Sequence, residues 1–223
     1  MRKVFGVLML VFLLVFGMKP WATAQNNVQM QMNMFKDVSS NGETTYGTSF
    51  DVSNDVLKNV ARVFVEGPAG RRIWVNNTLN LNGILLSATN LSSEQFNHWF
   101  PEGGYRILLS PPVFGKLVIN MTHNFPSTPA VLYPSDGAEG VPTNPIILWA
   151  PMTGIDSLRL QLKSDAGFSL GIDLPTNAIS YRVPEGLLSP NTQYDLSLGA
   201  KKVVDSGGNG LVTTTLSSFT TGQ

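Results

Sequence analysis

The sequence predicts an all-β chain of two tandem β-sandwich domains, with one short helix in the first. Three observations carry that expectation. From Val28 to Met34, Val28, Met30, Met32 and Met34 interleave with Gln29, Gln31 and Asn33, and a period of two marks a strand with one buried face. The second half breaks into short apolar runs with turn residues about every eight to twelve positions, the rhythm of a sandwich. Only Ser92 to Phe100 carries a clear helical signal. There Ser92 caps, Gln95 holds the capping-box position, and Phe96 with Trp99 or Phe100 supplies an apolar side until Pro101-Glu102-Gly103-Gly104 ends the helix.

The elements follow in order. Met1-Arg2-Lys3 precedes an unbroken run of apolar residues and Gly from Val4 to Phe16, and Lys19-Pro20 interrupts it before Ala22-Thr23-Ala24. That succession is a secretory leader, residues 1–24, cleaved before Gln25. It is shorter than the roughly 20 apolar residues a membrane-spanning helix needs, which favours a cleaved leader over an anchor. No later stretch is apolar enough to span, so no membrane insertion of the mature chain is expected. Thr44 to Val52 reads as a second strand. Ala61 to Val65 and Arg71 to Val75 flank Glu66-Gly67-Pro68-Ala69-Gly70 as a hairpin, and Tyr105 to Leu109 and Lys116 to Thr122 flank Ser110-Pro111-Pro112 as another. Phe125-Pro126-Ser127-Thr128-Pro129 divides the chain into 25–125 and 126–223, because prolines this dense favour an extended, semi-rigid connector. Seven strands are expected beyond it: Ala130–Tyr133, Ile146–Trp149, Ser157–Lys163, Phe168–Asp173, Ala178–Val183, Gln193–Lys201 and Leu211–Thr220.

Charge and composition exclude several function classes. The chain has 15 basic and 15 acidic residues, and loss of the leader removes Arg2, Lys3 and Lys19. Residues 25–125 hold seven of each sign, and residues 126–223 hold eight acidic and five basic. With Arg71-Arg72 and Lys201-Lys202 as the longest basic runs, no nucleic-acid partner is expected. The absence of cysteine excludes disulfides, thiolate catalysis and Cys-ligated zinc, and leaves stability to hydrophobic cores.

The second half also carries a family resemblance. Pro134-Ser135-Asp136-Gly137-Ala138-Glu139-Gly140-Val141-Pro142-Thr143-Asn144-Pro145, running into Ile146-Ile147-Leu148-Trp149, resembles the opening of bacterial fibronectin type III modules. Leu188-Ser189-Pro190-Asn191-Thr192-Gln193-Tyr194 is similar to the family's stretch before its sixth strand, and Ser218-Phe219-Thr220-Thr221-Gly222 to its last strand. The resemblance implies a seven-stranded Greek-key sandwich over 126–223, with Trp149 in the core. It further implies structural roles for Leu188, Pro190, Thr192 and Tyr194, the last forming a tyrosine corner. Leu158 and Leu160 stand where the family often has tyrosine. Residues 98–136, notably Trp99-Phe100-Pro101-Glu102-Gly103-Gly104-Tyr105-Arg106, resemble segments that precede such modules in exported bacterial proteins, a match without attached chemistry.

The residues do not assemble a catalytic set. Gly167-Phe168-Ser169-Leu170-Gly171 fits the nucleophile-elbow pattern, but it sits in an expected strand, and His98 and His123 both lie upstream. Glu94 and His98 share a helix face, yet two ligands do not make a metal site. Asp205-Ser206-Gly207-Gly208-Asn209-Gly210 has Gly at the third calcium-loop position and reads as a plain loop. No cofactor is expected. Trp74, Trp99 and Tyr105 occupy positions where aromatics ordinarily fill a core; gathered on the surface, they would make a carbohydrate-stacking platform. The expected role is a non-catalytic interaction or spacer module, exported to the envelope or beyond, with a protein or glycan partner. The other reading is a carbohydrate- or ligand-binding accessory protein acting through the first domain. Mass spectrometry of the native exported protein is expected to find Gln25 at its N-terminus. A chain that still begins at Met1 and fractionates with membranes would overturn the leader.

Overall fold

The computed structural model describes residues 29–53, 61–76, 83–109 and 116–223. The leader, Val28 and the Ser110-Pro111-Pro112 turn lie outside them. The first sandwich begins with β1 (Gln29–Ser39) and β2 (Thr44–Ser53), an antiparallel pair whose outer neighbour is β5 (Gly83–Leu91). Across the core lies a four-stranded sheet in the order β4-β3-β6-β7, made of β3 (Arg62–Glu66), β4 (Arg72–Asn76), β6 (Gly103–Leu109) and β7 (Lys116–Met121). Met32, Met34, Phe50, Val52 and Ile84 meet Val63, Val65, Ile107 and Ile119 between the sheets, which is the alternation of each strand made into a core.

Helix α1 (Ser93–Trp99) closes one end of this core. Its capping box forms as the sequence indicates: the Gln95 N–H donates to Ser92 Oγ at 3.2 Å, and the Ser92 N–H donates to Gln95 Oε1 at 2.9 Å. A seven-residue helix is marginal alone, and packing holds it. Phe96 and Phe100 are buried one turn apart, and the Phe96 ring stacks on Tyr46 at 5.3 Å. Of the two candidates for the apolar side, Phe100 faces the core and Trp99 does not.

The second sandwich forms the seven expected strands, three in one sheet and four in the other. One sheet runs β13-β10-β8, from β13 (Ser180–Arg182), β10 (Ile146–Trp149) and β8 (Val131–Tyr133). The other runs β12-β11-β14-β15, from β12 (Ser169–Leu174), β11 (Ser157–Lys163), β14 (Gln193–Val203) and β15 (Gly210–Thr221). The short β9 (Ala138–Val141) pairs parallel with the end of β15. Trp149 is buried in this core, and its indole N–H donates to the Ala178 carbonyl at 2.8 Å. Tyr194 is buried beside Phe219, and the Ser189 N–H donates to its hydroxyl at 2.8 Å. The corner is therefore present with the hydroxyl as acceptor, and losing it would strand a backbone donor at a cost of about 1–3 kcal/mol.

The two sandwiches share a sheet. β1 pairs in parallel with β15, from Asn33 beside Gly210 to Ser39 beside Leu216, so β12-β11-β14-β15-β1-β2-β5 is one continuous surface. On the inward side of β15, Leu211 enters the first core and Phe219 the second. Between them the Thr213 hydroxyl donates to the Pro126 carbonyl at 2.8 Å, and the Thr215 hydroxyl donates to the Pro129 carbonyl. The Pro-rich stretch is thus no free spacer; it is bound along β15, and Pro126 and Pro129 are buried.

The loop between β14 and β15 locks the seam. The Asn209 side chain is wholly buried, its carbonyl accepts the Met32 N–H at 2.6 Å, and its amide donates to both Asp205 carboxylate oxygens at 2.9 and 2.8 Å. Asp205 also accepts the N–H of Gly207, and Lys201 Nζ donates to the Gly208 carbonyl at 2.7 Å. A side chain at Gly210 has no room, since its Cβ would lie 2.8 Å from the Lys202 carbonyl. A further tie joins the tip of the β1–β2 turn to the second half. The Ser40 hydroxyl, then the Ser218 N–H, hold the Asp136 carboxyl below its ordinary value.

Two outcomes follow from the seam. Leu211→Ala is expected to destabilise the whole chain by about 2–5 kcal/mol, with one denaturation transition for both halves. Fluorescence dominated by buried Trp149 and by exposed Trp74 and Trp99 reads the halves separately, and two resolved midpoints would show that the seam does not couple them. Asp37, on β1 beside Thr214 of β15, has its carboxyl pushed up by burial, partly offset by the Thr214 hydroxyl. Its contribution is full below the ordinary aspartate value of about 3.9 and is lost as the pH rises through the raised folded value. Asp37→Asn is therefore expected to be more stable than the parent at pH 7, and the gap should close toward pH 3. Thermal melts of both proteins across that range check it; a constant difference would sink the assignment.

Candidate functional site

The hairpin β3–β4 and strand β6 place a row of side chains on the outer face of the four-stranded sheet. Val63 and Val65 point inward, so Arg62, Phe64 and Glu66 point outward. The antiparallel register sets Trp74 opposite Phe64 and Arg72 opposite Glu66. On the other side of β3, Leu108 lies opposite Phe64 and Arg106 opposite Glu66. The turn that fixes this register is tight: Pro68–Gly70 forms a single 3-10 turn, and the Gly67 N–H donates to the Arg71 carbonyl at 2.8 Å.

The result is a shallow open groove lined by Arg62, Phe64, Glu66, Arg72, Trp74 and Leu108. Trp74 is 61 % exposed, and Val118 of β7, opposite Arg106 in the neighbouring row, is 57 % exposed, so apolar surface faces solvent on this side of the sheet. Glu66 lies between two guanidinium groups, 2.9 Å from Arg72 Nε and 2.8 Å from Arg106 Nη2. Glu66 is mostly buried while both arginines are exposed, so the carboxylate anchors two cations that still present donors to solvent. The face thus offers apolar contact in a line with charged, planar hydrogen-bonding groups beside it.

The three aromatics singled out by sequence separate. Trp74 belongs to the groove. Trp99, 58 % exposed, lies in a different cluster, where the Arg71 guanidinium sits 5.6 Å from its ring centre and His98 meets it edge-on. Tyr105 is not ligand-facing: it is buried in the first core, and its hydroxyl donates to the Pro101 carbonyl at 2.6 Å. Burial pushes the Tyr105 phenol up, with Arg71 opposing the shift. The core expectation fails for both tryptophans, because strand alternation turns Trp74 outward and Phe96 with Phe100 already occupies the buried side of α1. Phe64, Leu108, Arg62, Arg72 and Arg106 escaped the sequence reading. The signal was available, since Arg-Val-Phe-Val-Glu with two inward valines puts Phe64 on the outside.

The remaining candidates resolve individually. Trp149, Leu188 and Tyr194 are buried in the second core. Thr192 donates its N–H to Thr221 Oγ1 at 2.9 Å and its hydroxyl to the Pro190 carbonyl at 3.0 Å, tying the corner to β15. Ser169 opens strand β12, which pairs with β11, so the elbow pattern has no strand-to-helix turn. The His123 ring Nε2 lies 2.9 Å from the Phe100 carbonyl, to which it donates, and Glu94 and His98 stand exposed on α1. Among the described residues no three His, Asp or Glu cluster as a metal site. Asp205 spends its oxygens on Asn209 and Gly207, the pattern of an internal lock. A second apolar surface, Leu132, Tyr133, Leu148 and Ile179, lies on the β13-β10-β8 side of the second sandwich.

No family model and no curated protein matches the chain. Among solved structures it is similar to a two-domain fibronectin type III segment of chicken tenascin, with 13 % identity and a TM-score of 0.31, over 86 % of this chain and 97 % of that one. It is also similar to the FN1-FN3 domains of chicken CNTN1, with 10 % identity and a TM-score of 0.29, over 86 % of this chain and 65 % of that one, so it spans less than two thirds of that segment. At TM-scores this low the fibronectin type III-like fold of the second half rests on its own strand order, its buried Trp149 and its tyrosine corner.

Proposed function

We propose that this chain is an exported, non-catalytic interaction protein. In this reading residues 126–223 serve as a rigid support, and residues 25–125 present the binding face on the outside of the β4-β3-β6-β7 sheet. The observation that carries it is the exposed Trp74 continued by Phe64 and Leu108 across three strands and bordered by Arg62, Arg72 and Arg106. Solvated sheet faces ordinarily alternate to polar residues, and an aromatic with arginines is the composition of a recognition surface. Export is supported by the leader pattern of residues 1–24. The non-catalytic reading is supported by the partners of the two histidine rings: His98 meets Arg71 and Trp99, and His123 meets the Phe100 carbonyl, so among the described residues neither ring is hydrogen-bonded to a serine or a carboxylate. No helix among the described residues is long and apolar enough to cross a membrane.

A photo-cross-linking residue placed at position 74 in the producing cells is expected to give discrete covalent adducts. The same residue at Ile179, also exposed but on the second sandwich, is expected to give none of them. Identical adduct patterns at both positions, or none at position 74, would remove the face from consideration.

A further inference from the structure

We propose that the outer face of the β4-β3-β6-β7 sheet binds an acidic polysaccharide, its sugar rings lying along Trp74, Phe64 and Leu108 and its carboxylates meeting Arg62, Arg72 and Arg106. The inference rests on the reading of that face as the binding surface and names its ligand class. Trp74, Phe64 and Leu108 are direct cross-strand neighbours. With strands about 4.8 Å apart, they cover roughly 10 Å in a line one side chain wide. Such a line matches the flat C–H faces of consecutive sugar rings better than the bulk of a folded protein. The cations stand two residues to either side along the strands, about 7 Å away, with Arg62 on one flank and the Arg72–Glu66–Arg106 group on the other.

Charge selects an acidic ligand. Among the described side chains of the face, three guanidinium groups stand against Glu66, an excess of two positive charges, while residues 126–223 carry the acidic excess of the chain. Glu66 takes up one guanidinium edge from each of Arg72 and Arg106. Of the five N–H donors on each, the remainder have no other partner among the described residues and can meet a carboxylate, to which the planar fork is matched. Backbone chemistry selects a sugar over a peptide. β3 and β6 are paired on both sides, so the main chain beneath Phe64 and Leu108 is occupied by its own ladders. β4, which carries Trp74, is the edge strand, and a peptide paired there would run along the strands beside the line, not across them over Phe64 and Leu108. An extended peptide needs an unpaired strand edge for its own backbone, whereas a sugar asks only for an apolar floor and polar rims. Nucleic acid calls for a much larger basic surface.

The full chain, titrated with polygalacturonate, with the same polymer fully methyl-esterified, with polyglutamate and with oligothymidylate, gives the test. Polygalacturonate is expected to bind, and esterification to weaken binding by about tenfold or more. Trp74→Ala and Arg106→Gln are each expected to weaken it by about tenfold. Both variants should keep the parent melting temperature, because the side chains are exposed. Equal affinity for the acid and the ester, lost in Trp74→Ala, would overturn the acidic class and keep the face. Tighter binding of polyglutamate or oligothymidylate would overturn the saccharide class. Binding that survives both substitutions would overturn the ligand and the face together. No binding of polygalacturonate would overturn the ligand alone, the adducts at position 74 deciding the face separately.

Discussion

Strand β15 has to satisfy two hydrophobic cores with one set of inward side chains. Its alternation is fixed at two residues per repeat, so Leu211, Thr213, Thr215, Ser217, Phe219 and Thr221 must share a face whatever lies beneath them. The first of these is buried among the methionines of β1 and the valines of β3, and Phe219 against Tyr194. The two threonines between them cover the passage from one core to the other by holding the connector's carbonyls. The rest of the architecture depends on this arrangement. β1 finds its place because β15 leaves one edge open, and β2 and β5 find theirs because β1 is there. A one-residue slip of β15 would turn every one of these side chains outward at once.

Polar groups secure the seam where apolar packing ends. Asn209 continues the β1–β15 pairing with its side chain at Met32, one step before the backbone ladder begins at Asn33. A buried amide of this kind is stable only when all its hydrogen-bonding capacity is met, and Asp205 meets it. The same loop buries Lys201, whose ammonium is pushed down by burial, with Asp205 offsetting part of the shift. A stretch that reads as a plain loop in the sequence is therefore a connected polar cluster, and its acidic residue is committed to the fold.

The sequence reveals local structure more fully than long-range structure, and the differences have physical causes. All seven strands expected in the second half form, because their runs are short, well punctuated and bounded by turn residues. The helix is legible because its cap, its capping box and its terminating Pro101 are all local. β5 is hidden by the consecutive apolar residues Ile84-Leu85-Leu86, which mask a period of two, and by Asn90 in the left-handed region. β9 is hidden by its length and by Gly137 and Gly140, which read as turn. The parallel β1–β15 pairing joins residues some 177 positions apart, and no local pattern records it. Of the candidate face, the sequence discloses Trp74 but not its neighbours, since their convergence depends on the register of the hairpin and on β6 joining its far side.

The direction of the shared pairing bears on how the molecule carries load. β1 and β15 run side by side in the same sense over seven register pairs. Tension applied between residue 29 and residue 221 therefore acts along both strands in opposite directions. The hydrogen bonds across the seam are loaded in shear, all together, and cannot be unzipped one after another from an end. The first sandwich cannot be pulled away from the second until that ladder gives way as a unit. A chain built in this way behaves under force as a stiff tether, where beads joined by a flexible string would stretch at the joint.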